Sequence, residues 1–281
     1  MKKIILLTVS LIFVLGAYAQ EKTKEKNDTT RIKWGHSKIW IFPDKDFKAD
    51  STQKGKSKRG AFVHWGGFDL GICALTTADN QFQIPANEDI YNLNYFLDLR
   101  YNKSWYYSLN LLEKNFRVYK NQIYFITGLG MEWDSYNFRS NITLDPAAAN
   151  TNASTTTLDT SSRVTYVTNQ LKVAYLKTPI LFEFNSNNTN AHKSFHLALG
   201  MELCYRVDSW TKQEYEINGY SHVVTRNDDY NLNALKYGLA VRAGYGGLTL
   251  FANYAFSPLF EESKGPEKPI FPLSVGVALS Y

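Results

Sequence analysis

Residues 237–256 read YGLAVRAGYGGLTLFANYAF and predict a β-hairpin, because two runs of alternating residues flank Gly246 and Gly247. Apolar side chains occupy every second position from Tyr237 to Tyr245, and the alternation resumes after the glycines. A glycine pair suits a tight turn, since glycine adopts positive φ without a Cβ clash. Aromatic rings stand at both ends of the apolar row. This pattern is typical of a strand whose outer face meets lipid and whose rings lie at the two membrane interfaces.

The start of the chain carries an export signal. Lys2 and Lys3 precede an apolar run over residues 4–15, and Ala17-Tyr18-Ala19 follows as a cleavage site. We therefore predict that residues 1–19 are a signal peptide and that the mature chain is exported. No later stretch approaches the roughly 18 continuous apolar residues of a membrane-spanning helix, which excludes a helical membrane protein.

The basic charge of the chain is concentrated near its N-terminus. The whole chain has a formal net charge of +5, whereas residues 21–60 alone hold 12 Lys and Arg against 6 Asp and Glu. This stretch lacks a sustained period, so residues 20–60 are predicted to be a basic, mostly disordered periplasmic segment, with one short structured piece at Trp34 and residues 39–42. Because the positive charge lies in a tail, no nucleic-acid partner is expected.

From residue 61 onward the sequence alternates between apolar and polar side chains. The longest run covers residues 95–111, where odd positions are apolar or aromatic except for Lys103 and even positions are largely polar. Seventeen residues of constant parity far exceed the usual 5–6 of a soluble strand and suffice to cross a bilayer at a tilt. The eight predicted strands are 61–73, 95–111, 123–134, 172–184 (with Pro179 as an edge or bulge), 195–206, the two arms of the hairpin, and 271–281.

The connections between these strands alternate in length. Long polar loops are predicted at 141–170, 212–231 and 258–269, and short turns follow the second, fourth and sixth strands. Small outer-membrane barrels show this asymmetry, with short periplasmic turns and long external loops. The predicted fold class is all-β: an antiparallel up-and-down transmembrane β-barrel of about eight strands, covering residues 61–281 and preceded by the flexible N-terminal periplasmic segment.

Four stretches resemble the PorT-like outer-membrane β-barrel family of Bacteroidetes. Residues 175–181, YLKTPIL, are close to the family's tyrosine–leucine–x–isoleucine–proline–leucine signature, although Thr178 replaces its usual aliphatic residue. The hairpin 237–256, the tripeptide Gly128-Leu129-Gly130 and the closing strand PLSVGVALSY also match. The resemblance spans residues 61–281 and implies the fold and an outer-membrane location. It transfers no catalytic residue, and members of the family have been tied to secretion or gliding.

The inward positions of the predicted strands carry both signs of charge in near-equal number. An ion-selective pore would be expected to carry an excess of one sign, whereas a filled lumen needs paired ions. Phe96, Tyr106 and Leu181 also fall inward and would narrow the interior, so we predict a closed, salt-bridged lumen that does not conduct. The predicted lumen charge network consists of Asp69, Asp98, Arg100, Glu132, Asp134, Lys177, Glu183, Glu202, Arg206, Lys236 and Arg242.

No catalytic, metal or cofactor site is predicted. An acid–base or metal site could be assembled from His64, His196, Glu202, Asp134 and Asp98, but the chain offers no metal-ligand spacing and no nucleophile beside a base. Cys73 and Cys204 lie mid-strand in distant strands and are predicted to be free, buried thiols.

Several functional hypotheses remain open. The favoured one is a structural or interaction protein, associated with secretion or assembly, that acts through its loops and periplasmic tail. The alternatives are a small channel or ligand-binding barrel, an outer-membrane enzyme, and a soluble lipocalin-like barrel with its apolar rows inward. The expected partners are outer-membrane lipid, the outer-membrane assembly machinery, and a periplasmic or secretion partner bound through residues 21–60. The assembly machinery is expected because the terminal aromatic residue Tyr281 resembles its recognition signal.

Overall fold

The computed structural model describes residues 30–34, 37–41, 64–78, 97–120, 122–144, 156–158, 164–187, 193–262, 264 and 269–280. The chain divides into two compact units, Met1–Ser57 and Lys58–Tyr281. In the first unit, β1 (Thr30–Trp34) pairs antiparallel with β2 (Ser37–Ile41). This hairpin overlaps the short piece predicted at Trp34 and residues 39–42, of which Phe42 lies outside the described residues. The predicted signal peptide lies outside the described residues. Across the residues described, no helix is long and apolar enough to span a membrane.

The second unit is an antiparallel sheet that closes on itself. Its elements are β3 (Gly67–Thr77), β4 (Trp105–Tyr119), β5 (Ile123–Asn137), β6 (Ile142–Leu144), β7 (Thr156–Leu158), β8 (Val164–Asn185), β9 (Phe195–Ile217), β10 (Tyr220–Asn227), β11 (Leu235–Tyr245), β12 (Leu248–Ala255) and β13 (Ile270–Ser280). The main sheet has nine strands in the order β10-β9-β11-β12-β13-β3-β4-β5-β8, and β8 also pairs with β9. Eight strands therefore form a ring, β10 branches from β9, and β6 pairs with β7 separately. The predicted barrel is confirmed.

The hairpin that decides the fold forms in the predicted register. Tyr245 pairs with Leu248 across the turn, and Gly246 has a φ of 59°. The links β4–β5, β8–β9 and β11–β12 are all short and lie at one end of the ring, which we call the short-turn end. The longer connections lie at the opposite, long-loop end.

The outward face of the ring is an apolar belt. On β9, Leu199 is 52% exposed, and every second residue beside it is also a large exposed apolar side chain. Exposed aliphatic and aromatic side chains continue around the ring on the other strands, among them Phe68, Ile72, Trp105, Tyr107, Leu109, Phe182, Leu239, Leu250, Val277 and Leu279. A belt of this kind is stable only against lipid, because a soluble monomer rarely exposes so large a contiguous apolar surface. The soluble, lipocalin-like alternative would need these rows inside, and it is wrong.

The predicted 17-residue strand over 95–111 is wrong in its extent. Leu97 and Leu99 are each 1% exposed, a 3-10 turn occupies Tyr101–Lys103, and β4 begins only at Trp105. From there the outward parity holds through Leu109, and at Leu111 a bulge interrupts the pairing with β5. Lys103, the one charged residue in the odd-numbered row, lies in this turn, and the apolar residues on either side of the turn keep the same parity.

Two predicted loops contain strands. The stretch 141–170 holds β6, β7 and the first residues of β8, and the stretch 212–231 holds the end of β9 and all of β10. The stretch 141–170 is rich in Asn, Thr, Ser and Ala, and the stretch 212–231 is rich in charged residues and Asn, so the apolar alternation that marks a membrane strand is missing from both. β10 joins β9 through a two-residue turn in which Asn218 and Gly219 both have positive φ.

Pro179 lies inside β8 and leaves a local gap in the ladder. It pairs in register with Glu202 of β9, whereas the pairing of β8 with β5 is interrupted between Lys177 and Ile180. Proline has no N–H to donate, so one side of the strand loses its hydrogen bond there without a change of register.

Candidate functional site

The lumen contains a charge cluster built from five strands. Its seven members, which we call the central charge cluster, are Asp69 on β3, Glu132 and Asp134 on β5, Lys177 on β8, Glu202 on β9, and Lys236 and Arg242 on β11. They occupy inward positions because alternate residues of a strand point to opposite faces. All seven were predicted members of the lumen network, and the structure brings them together.

Asp69 and Arg242 form the most tightly held pair. The Arg242 guanidinium donates from Nη2 to Asp69 Oδ1 at 2.9 Å and from Nη1 to Oδ2 at 3.1 Å. Asn110 Nδ2 donates to the same carboxylate at 3.0 Å, and Lys177 Nζ lies 3.5 Å away. A two-point contact between an arginine and a carboxylate fixes both side chains, and its burial makes it costly to break.

Lys236 joins the two carboxylates of β5. Its ammonium lies 2.5 Å from Glu132 Oε1 and 2.7 Å from Asp134 Oδ2, and it stands 4.3 Å above the centre of the Tyr175 ring. Tyr106 donates to Glu132 and Tyr136 donates to Asp134, at 3.0 and 3.1 Å. The tyrosine hydroxyls thus add hydrogen bonds to carboxylates that are almost fully buried.

Lys177 connects the two halves of the cluster. Its ammonium lies 3.5 Å from Asp69, 3.9 Å from Glu132 and 3.7 Å from Glu202, and it donates to Tyr106 Oη at 3.0 Å. It also stands 5.7 Å from the ring centre of Trp65. The contact with Lys177 is the one ion pair of Glu202, whose Oε1 has no hydrogen-bond partner among the described residues.

Four of the predicted network residues lie elsewhere. Asp98 pairs with Arg139 at 2.8 Å in a half-exposed position, and Arg100 Nη1 donates to the carbonyl of Val167 at 3.5 Å. Both precede β4, so strand parity does not govern them. Arg206 adjoins a bulge between β8 and β9 and donates to Ser209 at 3.1 Å, away from the cluster. Glu183 belongs to a second cluster, at the short-turn end.

This second group, which we call the short-turn cluster, consists of His64, Glu183, Asn185, His196 and Thr249. The two imidazole rings stack with centroids 3.6 Å apart and planes at 8°. Glu183 accepts from the backbone N–H of His64 at 3.0 Å and contacts its Nδ1 at 2.9 Å, and Asn185 donates to the same carboxylate at 2.8 Å. His196 Nε2 lies 2.8 Å from Thr249 Oγ1. The cluster closes the lumen at this end with polar side chains.

His64 and Trp65 enter the lumen from the N-terminal side of β3. The alternation over residues 61–73 groups His64 with the apolar side chains of Phe68, Leu70 and Ile72, which predicts an outward position for it. That prediction is wrong, because His64 and Trp65 are both buried, and Trp65 packs with Tyr124, Ile126 and Leu181. Gly66 donates to Glu113 at 2.7 Å. Gly67 has a φ of 142°, and a Cβ there would meet the carbonyl oxygen of Leu279 at 2.0 Å. The pair Gly66-Gly67, which within the alternation of residues 61–73 predicts a bulge, is the sequence signal that the chain turns into the lumen here.

The long-loop end is closed by an apolar core. Its buried side chains come from the segments before β4 and after β5, from β6, and from the loops before β11 and after β12: Leu97, Leu99, Phe138, Ile142, Leu144, Tyr230, Leu232, Leu259 and Phe260. Burial raises the pKa of the Tyr230 phenol, and its hydroxyl donates to the carbonyl of Arg226 at 2.7 Å. These residues form a lid over the lumen.

A small cavity of about 30 Å³ adjoins the central charge cluster. Its lining includes Glu202, Lys236, Asn253 and both cysteines. A volume of this size holds about one or two water molecules. Cys73 and Cys204 are free and buried, as predicted. Within the described ranges, no group of three or more His, Cys, Asp or Glu side chains is arranged to hold a metal ion.

Beyond the ring, three strands form a projecting sheet at the long-loop end. It consists of residues 164–169 of β8, residues 208–217 of β9, and β10. β9 pairs with β11 up to Tyr205 and with β10 from Trp210 onward, so it changes neighbour as it leaves the barrel. Three rings line up across the sheet, with Tyr166 and Tyr215 5.6 Å apart and Tyr215 and His222 5.5 Å apart.

A family of known proteins matches most of this chain. The family model described as "Outer membrane protein beta-barrel domain" matches residues 57–261. Among solved structures, the chain is similar to Ail, the attachment invasion locus protein of Yersinia pestis, at 10% identity and a TM-score of 0.28, over 77% of this chain and 100% of that one. No curated protein matches the sequence.

Proposed function

This chain belongs to the outer membrane protein β-barrel domain family, and from that premise we propose that it is a closed barrel that acts as a structural or interaction protein. It resides in the outer membrane, and its apolar belt faces lipid. In this proposal the barrel neither passes solutes nor catalyses a reaction. It anchors the projecting sheet and the loops on one side of the membrane and the N-terminal segment on the other.

The observation that carries this proposal is the filling of the lumen at three successive levels. The short-turn cluster with Trp65 fills one end, the central charge cluster fills the middle, and the apolar lid fills the other end. Arg242, Lys177 and Glu132 are each no more than 2% exposed, and the cavity beside the cluster holds only about one or two water molecules, so the described residues show no continuous water-filled path past these charges. Ion passage needs a continuous lining of exposed polar groups, and this arrangement offers none in the described residues.

The orientation follows from the asymmetry of the connections. In bacterial barrels the short turns face the periplasm and the long loops face outward. The proposal therefore puts the long-loop end outside the cell and the basic segment 20–60 in the periplasm. There it is available to a secretion or periplasmic partner, while the closing strand β13 leads to the terminal aromatic that the assembly machinery would recognise.

Planar-bilayer recording tests whether the barrel is closed. Refolded, homogeneous protein should produce no steady single-channel steps above the baseline. Steps that persist after further purification would favour a small channel instead.

The interaction role is tested separately by pull-down from envelope extracts. The full chain should retain proteins that are lost when residues 21–60 are deleted, or when the hairpin 214–223 is shortened to a tight turn. The matched control is Arg139→Ala, which removes an exposed ion pair with Asp98 at the same end of the barrel. Identical retention by all variants would remove the support for this role.

A further inference from the structure

The outer edge of β10 has no neighbour among the described residues. β10 pairs with β9 on one side and is the terminal strand of the sheet order. Its residues are almost all exposed, with Tyr220 at 73% and Val223 at 58%. An eight-residue edge of this kind presents backbone donors and acceptors that can pair with another strand.

The turn determines which residues present those groups. Ile217 pairs with Tyr220 across the two-residue turn, and in such a hairpin the flanking residues exchange both backbone hydrogen bonds. The bonded pairs then recur at every second position, so Tyr220, His222 and Val224 bond to β9. Ser221, Val223 and Thr225 therefore direct their N–H and C=O groups to the free edge.

This edge also lacks the usual protection against strand pairing. Proteins guard exposed edges with proline, with inward-pointing charges, with bulges or with short strands. β10 reads YSHVVTRN, contains no proline, pairs with β9 without a register shift, and carries one arginine close to its end. Its valines, threonine and tyrosine favour a strand.

We propose that β10 pairs antiparallel with β10 of a second copy of this chain, with Val223 opposite Val223 of the other copy. This inference deepens the proposed function by naming the partner. The edge groups belong to odd-numbered residues, so bonded pairs must join odd with odd. Registers that are shifted by one residue are thereby excluded. The centred register pairs the strand along nearly its whole length.

The side chains agree with this register. It sets Tyr220 opposite Arg226 of the other copy, where a cation can stand against a ring, and Ser221 opposite Thr225, where two hydroxyls can hydrogen-bond. A shift by two residues in one direction would set His222 opposite itself, and a shift in the other would set His222 opposite Arg226. The centred register is the one that separates these basic groups.

The pairing also determines the relative orientation of the membranes in which the two copies are embedded. A two-fold axis that relates antiparallel neighbours in a sheet is perpendicular to that sheet. β9 is continuous from the barrel wall to the tip of the projecting sheet, and the proposal takes this sheet to continue the surface of the wall. The wall contains the membrane normal whatever the tilt of its strands. The axis therefore lies in the membrane plane, and the two copies belong to two membranes that face each other. The partner is thus a copy on an apposed membrane surface.

Cysteine crosslinking tests the register in the full-length protein, reconstituted in lipid vesicles. Val223→Cys should form a disulfide-linked dimer under mild oxidation, because the paired Cα atoms lie about 5.5 Å apart. The control Ser221→Cys lies on the same edge, but its two copies are four residues apart along the strand, about 13 Å. Equal crosslinking of the two variants would overturn the proposed register.

Vesicle aggregation tests the apposition itself. Vesicles that carry the wild-type protein with its long-loop end outward should aggregate, as measured by light scattering. Val223→Pro removes an edge donor and spares the bonds to β9, so it should weaken aggregation by about tenfold or more, whereas Val223→Thr should not. Dispersed wild-type vesicles would refute pairing between copies. If the shortened hairpin still abolished pull-down of a different protein, the proposed interaction role would stand and the self-pairing inference alone would fall.

Discussion

Replacing Asp69 with asparagine should destabilise the folded barrel by about 3–5 kcal/mol, the cost of breaking a buried ion pair by removing one partner. Asp69 accepts two hydrogen bonds from Arg242, at 2.9 and 3.1 Å, and is fully buried. Arg242 makes its hydrogen bonds to this carboxylate, so Asp69→Asn leaves a buried guanidinium without its counter-ion. Lys177 loses less, because Glu202 lies 3.7 Å from its ammonium.

The matched control is Asp98→Asn, an identical chemical change. Asp98 pairs with Arg139 at 2.8 Å, but the arginine side chain is 62% exposed. An exposed pair of this kind contributes about 0–1 kcal/mol, since water and salt screen it. The strand pattern alone assigned Asp69 and Asp98 to the same network, so the comparison separates an inward position on a strand from a position that merely shares its parity.

The measurement is equilibrium unfolding in urea of the refolded protein in lipid vesicles, followed by tryptophan fluorescence. The loss in the free energy of unfolding for the double variant Asp69→Asn/Arg242→Met should be smaller than the sum of the losses for the two single variants, because the double variant removes both charges at once. A loss for Asp69→Asn of no more than about 1 kcal/mol, equal to that of Asp98→Asn, would refute the assignment of a desolvated ion pair at the centre of the lumen.

Other consequences of the fold can be tested in the same system. Leu199→Arg, on the lipid-facing row of β9, should cost about 2–4 kcal/mol, whereas Glu216→Arg, on the same strand in the projecting sheet, should change the free energy of unfolding by less than about 0.5 kcal/mol. Proteinase K added to intact cells should cleave within 141–170 and spare 21–60; the reverse pattern would invert the proposed orientation. The two buried cysteines should resist a charged maleimide in the folded protein and react after denaturation, and rapid labelling of the native state would contradict their burial.

The outward face was predictable from the sequence because lipid imposes one chemistry on every position of a face. A strand that crosses the bilayer carries apolar side chains at most of the positions that face lipid. The apolar row is continuous in β11, β12 and β13, and in β9 as far as Val207. The hairpin at Gly246 and Gly247 then sets the register of its two strands. The number of strands and the alternation of connection lengths follow from these local patterns.

The ends of the strands could not be predicted in the same way, because lipid no longer selects the side chains there. In the projecting sheet both faces are polar or mixed, so 212–231 has the composition of a loop although β10 forms eight ladder pairs with β9. Before β4 the prediction fails in the opposite way, because the sequence pattern predicts a strand where the chain forms none. Leu97 and Leu99 keep the parity of the strand, but they pack inside the apolar lid. Apolar residues at the rim satisfy a protein core as readily as a membrane.

The lumen raises a further difficulty, because its partners come from strands that are far apart in the sequence. Asp69 and Arg242 are separated by 173 positions in the sequence. Their contact requires that both side chains point into the lumen and that both lie at the same height along the barrel axis. The alternation of residues along each strand predicts which side chains point into the lumen, but not where along the barrel axis each one lies. That is why Glu183, on the same inward row as Lys177, belongs to the short-turn cluster with His64 and not to the central charge cluster. Height in a barrel is determined by the stagger of the whole ring, so a pairing in the lumen becomes decidable only when every neighbouring register is known.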